Sequence, residues 1–360
     1  MSTRARARDQ GARRLPRIEA NDHGGTITSG RKSIISSRCS VAALSVVTAV
    51  AASLLALPAP AQAAQPVGMA APYEYLGWGS PPSPTEVMAA SGVRDFTLAF
   101  VLSRGRCNPE WDGWRPLAGG VDAATILSIR AAGGDVAVSF GGWSGRKLGT
   151  SCRTAVALAA AYQRVIDSYG LKAIDVDIEH TEVSNAAVRS RVIAALAAVQ
   201  QADPGLEISI TFGTNQNGPD PHGLSLIADA AAIGFQPTSW TIMPFDFGAP
   251  AGTMGATSVA ATEALAADLA STYHESTAVA YAHIGISTMN GQTDEADETV
   301  TTADLQTMLS FAQTNHLARL TFWSVNRDRP CATGAPVSDS CSGIAQQPDA
   351  FTSLIAQFRG

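Results

Sequence analysis

The sequence predicts a single (β/α)8 barrel, and three observations carry that prediction. From Tyr73 onward, short β-branched or aromatic runs alternate with longer amphipathic ones, the pattern of repeated βα units, and eight such alternations can be counted. The roughly 300 residues that follow an N-terminal leader suit one such unit, since α/β barrels commonly run to about 250 residues or somewhat more. An open doubly wound sheet shows the same alternation but needs a glycine-rich phosphate loop, and Gly77-Trp78-Gly79 has no third glycine before a helix.

In chain order, the strands are expected at 73–78, 96–102, 136–140, 173–178, 207–212, 239–244, 282–287 and 320–324. Helices fall between them, clearest at 123–132, 153–169, 185–202, 260–273 and 302–316. Asp122 reads as an N-cap, Gly133 and Gly170 stand just past two final turns, and Asn315 lies near the end of another helix.

Ahead of the barrel, the apolar run 41–57 follows Arg31, Lys32 and Arg38 and leads to Ala61-Gln62-Ala63, a small-x-small cleavage site. Residues 1–63 are therefore expected to be a signal peptide and leader, with the barrel occupying 72–360. No later uncharged stretch reaches the about 18 apolar residues a membrane span needs, so a soluble, extracellular product is expected. The leader carries nine of the 25 basic and three of the 31 acidic residues, leaving 16 against 28 and a net charge of −12. Such a surface repels phosphate backbones and anionic headgroups, which argues against nucleic acid or membrane and for a neutral substrate. A monomer is expected. Cys107, Cys152, Cys331 and Cys341 would enter an oxidising compartment. Cys331 to Cys341 is the expected pair, because a short loop rich in Gly, Pro and Ser is readily stapled, and Cys107 to Cys152 is then left.

The most informative stretch is Ala173-Ile174-Asp175-Val176-Asp177-Ile178-Glu179. In a strand, Asp175, Asp177 and Glu179 share one face and Ile174, Val176 and Ile178 the other. With the apolar set against the helices, the acids line the barrel interior about 6 to 7 Å apart, ending at the C-terminal mouth where barrel enzymes place their chemistry. Three carboxylates in a partly dry interior do not all ionise cheaply, so at least one proton is retained near neutral pH. Glu179, longest and nearest the mouth, is placed to donate it, while Asp177 holds negative charge or shares the proton.

This stretch resembles the D-x-x-D-x-D-x-E signature of family 18 of the glycoside hydrolases, the chitinase family. Ser139-Phe140-Gly141-Gly142 is similar to the family's S-x-G-G on the third strand, and Met243-Pro244-Phe245-Asp246 to its M-x-Y-D on the sixth. Trp323, in Thr321-Phe322-Trp323-Ser324, stands where the family's eighth strand supplies a tryptophan. Two positions depart: Lys172-Ala173 replaces the leading Asp-Gly, and Phe245 replaces a tyrosine whose hydroxyl would bond the substrate's acetamido group. Asn215, Gln216 and Tyr281 are the nearby candidates to substitute for that hydroxyl.

The resemblance implies hydrolysis of β-1,4-linked N-acetylglucosamine polymers, chitin or chito-oligosaccharides, by a substrate-assisted retaining mechanism. Glu179 would protonate the glycosidic oxygen, Asp177 would bond the acetamido N–H, Asp175 would tune Asp177, and Asp246 would orient the acetamido group or Glu179. Trp323 would floor the sugar, with Met243 and Phe245 beside it, and Ser139, Gly141 and Gly142 would shape the third strand's end.

Trp78, Trp111, Trp114 and Trp143 fall in mouth-side loops, where aromatics stack on sugar faces, and Trp240, at a strand start, reads as packing. His180 has no spaced ligand partners, and neither H-E-x-x-H, G-x-S-x-G nor a Walker loop occurs, so no metal or cofactor is expected. Two other functions share the resemblance: an endo-β-N-acetylglucosaminidase on glycoprotein or peptidoglycan glycans, and a non-catalytic chitin-binding relative. Retention of Glu179 argues against the last.

Overall fold

The computed structural model describes residues 66–250 and 252–360; the expected leader lies outside them. Eight parallel strands run in hydrogen-bonded order β1 (Tyr73–Tyr75), β2 (Phe96–Ser103), β3 (Val136–Gly141), β4 (Ala173–Asp177), β5 (Glu207–Gly213), β6 (Ser239–Met243), β7 (Ile284–Met289) and β8 (Arg319–Trp323). All eight expected strands form, the first ending three residues early because Gly77-Trp78-Gly79 opens a loop. Helices alternate with them, including all five named above. Two more stand at Pro84–Ser91 and Pro221–Ala232, each begun by a proline that needs no N–H partner in the first turn.

The sheet is nearly closed. Between β8 and β1 no ladder forms; instead Leu320 N–H donates to the Met69 carbonyl at 2.9 Å and Thr321 Oγ1 to the Ala71 carbonyl at 2.8 Å. At the mouth end of this seam, Asn326 does a neighbouring strand's work with its side-chain amide. Its Oδ1 accepts from Tyr75 N–H at 3.0 Å and its Nδ2 donates to the Tyr75 carbonyl at 2.8 Å.

Alternation sorts the side chains as the period of two requires. Ile174, Val176 and Ile178 are buried in the layer between sheet and helices, with Trp240 packed edge-on against Phe212. Glu74, opposite Leu98 in the β1–β2 register, is also fully buried, and neither of its carboxyl oxygens has a partner. The helix ends are mostly as expected: Thr154 caps Ala155–Tyr169, Gly170 closes it in the left-handed conformation, and Asn315 ends Thr302–Thr314. Asp122 is the exception. The helix Gly120–Ala131 is capped by Gly119, and the buried Asp122 carboxylate instead accepts from Arg115 Nε and Nη2, both at 2.9 Å. A bidentate guanidinium outcompetes main-chain N–H groups for a carboxylate.

Both expected disulfides are present, Cys107–Cys152 joining the loops after β2 and β3, and Cys331–Cys341 stapling the loop after β8.

Candidate active site

The barrel interior is polar at mid-height, and Asp175 is its hub. One of its oxygens accepts from Tyr73 Oη at 2.8 Å and Ser139 Oγ at 2.6 Å; the other accepts from Thr211 Oγ1 and Arg319 Nη1, both at 2.6 Å. The ion pair is dry, each side chain being 1% exposed. Five strands thus converge on one carboxylate, which leaves it no free acceptor site. The row of three acids read from the sequence is therefore unequal: Asp175 is committed to the scaffold, and the two beyond it are not.

Asp177, the last residue of β4, is buried, and its Oδ1 has no partner. Burial holds its carboxyl well above the ordinary range, and the nearby Glu179 and Asp175 charges push the same way. Glu179 follows the strand end and is pushed up to about 7, chiefly by burial; the Lys147 ammonium opposes this and the Asp246 charge adds to it. Two neighbouring carboxyls near the mouth thus keep protons at pH values where exposed ones have lost them.

The end of β3 packs directly against this pair. Gly141 lies at φ +101°, and a Cβ there would stand 2.1 Å from the Asp177 carbonyl oxygen. Gly142, at φ +79°, donates its N–H to that same oxygen at 2.9 Å, and a Cβ on it would meet the Phe100 ring at 2.7 Å. Only glycine tolerates such approaches in this backbone region.

An aromatic cluster floors the mouth. Phe100 stacks on Trp323 with centroids 5.6 Å apart, and Tyr73, Tyr75 and Trp78 surround Trp323 within 6.5 Å. Trp78 is half-exposed on the rim. Trp143 and Trp114 are the most exposed tryptophans, at 70% and 68%. Trp143 meets the His180 ring edge-on at 4.1 Å, with His180 at φ +50°. Trp111 is not on the rim: it is fully buried and donates Nε1–H to Tyr169 Oη at 2.8 Å, because the short strand Pro109–Trp111 turns it inward against the helix Ala155–Tyr169.

The sixth strand supplies the remaining wall. Met243 ends β6 half-buried, and Phe245 is half-buried in the loop that follows. Asp246, at φ +52°, accepts from the N–H groups of Asp294 at 2.9 Å and Glu295 at 3.3 Å. Reciprocally, the buried Glu298 accepts from Asp246 N–H at 2.6 Å, Phe247 N–H at 3.3 Å and Ala249 N–H at 3.1 Å. Of the candidates to replace the hydroxyl missing at Phe245, Gln216 is committed elsewhere, its Nε2 donating to the Phe247 and Gly248 carbonyls at 3.0 Å each. Tyr281 ends the helix before β7, at the opposite end of the barrel, where it packs against Phe311. Asn215 remains, in the loop after β5.

Sequence reasoning missed Arg319, Tyr73 and Thr211 around Asp175, and Lys147 and Glu182 beside Glu179. Arg319 had one legible mark: like Glu207, it is a charged residue at the head of an otherwise neutral strand.

No family model matches the chain. It is 30% identical over 283 residues to endochitinase 11 of Metarhizium anisopliae, covering 75% of this chain and 54% of that protein. It is 29% identical over 314 residues to a probable bifunctional chitinase/lysozyme of Escherichia coli, covering 82% of this chain and 35% of that one. The chain thus spans about half and about a third of the length of these curated relatives. The solved catalytic domain of a hyperthermophilic chitinase from Pyrococcus furiosus superposes with a TM-score of 0.73 at 28% identity, over 82% of this chain and 96% of that one. Catalytic-site mutants of active domain 2 of the P. furiosus chitinase, complexed with chito-oligosaccharides, give 0.72 at 27% identity, over 82% and 95%.

Proposed function

We propose that the chain is a family 18 glycoside hydrolase, a secreted enzyme cleaving β-1,4-linked N-acetylglucosamine polymers by a substrate-assisted retaining mechanism. The observation that carries the reading is the division of labour along β4. Asp175 is saturated by donors and unavailable as a nucleophile, while Asp177 and Glu179 beyond it hold their protons by burial. A site with a general acid and no free carboxylate nucleophile suits a substrate that brings its own.

In this scheme Glu179 donates its proton to the glycosidic oxygen as the 2-acetamido carbonyl attacks C1. The acetamido N–H, donated to the unpartnered Oδ1 of Asp177, favours that carboxyl's ionised form; its proton leaves to solvent on substrate binding, and the carboxylate balances the positive oxazolinium that forms. Water then attacks C1 from the face the aglycone left, giving its proton to the Glu179 carboxylate. Trp323 and its aromatic neighbours would bear the sugar ring, and Trp78 and Trp143 would extend contact along the rim.

A second reading, cleavage of peptidoglycan or glycoprotein glycans, draws support from the lysozyme half of the E. coli relative's name. Incubation with chito-oligosaccharides, peptidoglycan and a high-mannose glycopeptide, followed by mass spectrometry, separates the two. The expected result is chito-oligosaccharide cleavage that Glu179→Gln abolishes while binding persists; substantial turnover by that variant would remove Glu179 from its role. Secretion is tested by N-terminal sequencing of the exported protein, expected to begin near Ala64.

A further inference from the structure

A buried charge cluster behind the mouth takes no part in the scheme above. Lys147, in the loop after β3, is 7% exposed and directs its ammonium at three main-chain carbonyls: Gly141 at 3.2 Å, Ser144 at 2.7 Å and Gly142. Those three bonds use all its protons, so the carboxyls of Asp177, Glu182 and Glu179 answer its charge only at longer range. Glu182, 2% exposed on the short helix Thr181–Ser184, accepts from Gly149 N–H at 2.9 Å through one oxygen; the other has no partner. Gly149 fits so closely there that a Cβ would lie 2.3 Å from Glu182 Oε1.

The loop from Gly141 to Gly149 is therefore gripped at both ends, its start by a cation and its end by an acid, and both grips sit beside the residues assigned to catalysis. An ammonium held by neutral ligands in a dry site exerts its field on whatever carboxyls are near, favouring their ionised forms; Glu182, which burial pushes up to about 7, ionises in the same range as Glu179, and each of the two then opposes the other's ionisation.

We propose that Lys147, a buried cation, and Glu182, a second buried carboxyl, are positioning residues that fix the 141–149 loop against β4 and together set the pH above which Glu179 no longer carries its proton. This rests on the reading of Glu179 as the acid. The other charged groups acting on the cluster are accounted for: Asp246 faces Glu179 from the loop after β6, Asp175 and Arg319 face Asp177 from β4 and β8, and Tyr162 faces Glu182 from the helix Ala155–Tyr169. None of these changes in the variants below.

The test compares Lys147→Met and Glu182→Gln with the wild type in two measurements. One is the pH profile of kcat/KM on a fluorogenic chito-oligosaccharide; the other is carboxyl-carbon NMR titration of Glu179. Lys147→Met is expected to move the alkaline limb, and the Glu179 titration with it, to higher pH by about half a unit or more, and Glu182→Gln to move both to lower pH. Limbs that stay in place, or that move the same way in both variants, would overturn the proposal and leave the two residues merely structural. Where circular dichroism shows Lys147→Met unfolded, Lys147→Gln replaces it and the Glu182→Gln shift is read alongside. A wild type without turnover on any N-acetylglucosamine polymer would count against the hydrolase reading alone, and the NMR titrations would still decide this one.

Discussion

Glu74→Gln should change the pH dependence of stability more than stability itself. The side chain is fully buried on the helix-facing side of β1, both carboxyl oxygens lack partners, and burial pushes its carboxyl from 4.5 up to about 8. In the unfolded chain the group loses its proton near its ordinary value, whereas the folded protein keeps it until about pH 8. Between those values the unfolded state binds fewer protons, so this group lowers stability by about 1.4 kcal/mol per unit rise in pH. The stabilising side is the acid side, and the loss is nearly complete by pH 8. Summed from pH 5 to pH 8, the penalty grows by roughly 3 to 4 kcal/mol. A glutamine of the same shape carries no such term, though its buried amide adds a pH-independent cost of about 1 to 3 kcal/mol. Urea unfolding of both proteins at pH 5 and pH 8, disulfides intact, gives the double difference, in which Glu179, Glu182 and every other titrating group cancel. The variant should gain roughly 3 to 4 kcal/mol on the wild type between the two pH values. An equal difference at both would refute the argument and mean that Glu74 has a polar partner or is already ionised in the fold.

Arg319→Met leaves the buried Asp175 without its cation and should cost about 3 to 5 kcal/mol in urea unfolding, most of it recovered when Asp175→Asn is added; a cost under about 1 kcal/mol would mean the pair is solvated. Asp177→Asn should cut turnover severely, and the wild-type product should appear first as the β-anomer by proton NMR, early α-anomer being incompatible with retention. Phe245→Tyr should leave turnover near the wild-type value if Asn215 supplies the missing donor, in which case Asn215→Ala lowers it. A gain of tenfold or so from Phe245→Tyr alone, about 1.4 kcal/mol of transition-state stabilisation, would show that no substitute exists.

What the sequence made legible was whatever repeats locally. The Ile174, Val176, Ile178 alternation declares β4 and its orientation without reference to any other strand, and the same period finds the other seven. The helices Pro84–Ser91 and Pro221–Ala232 were harder to read because each opens on a proline, which marks a loop as readily as a first helical turn. Side-chain partners across the barrel had no local trace. Asp175 and Arg319 are 144 residues apart, so nothing near either one announces that the acid is consumed by the scaffold. Trp111 and Trp114 look alike three residues apart, and only the turn between them buries one and exposes the other. The disulfides were legible because loop length alone limits which cysteines meet.

The Glu298 clamp bears on how such barrels can be recombined. A (β/α)8 barrel invites exchange of single strand-and-loop modules, since each loop follows directly on its own strand. Here the turn carrying Phe245 and Asp246 is an anion receptor made of three N–H groups, and the carboxylate that fills it arrives 52 residues later, beyond β7. Asp246 returns the favour by accepting the N–H groups of Asp294 and Glu295. A crossover placed between β6 and β7 would part receptor from ligand on both sides, leaving a buried carboxylate and several donors stranded in each chimera. The heritable unit of this wall is therefore the whole stretch from β6 to Glu298, and shuffled libraries that respect that boundary should keep the mouth's shape while those that cut it should not.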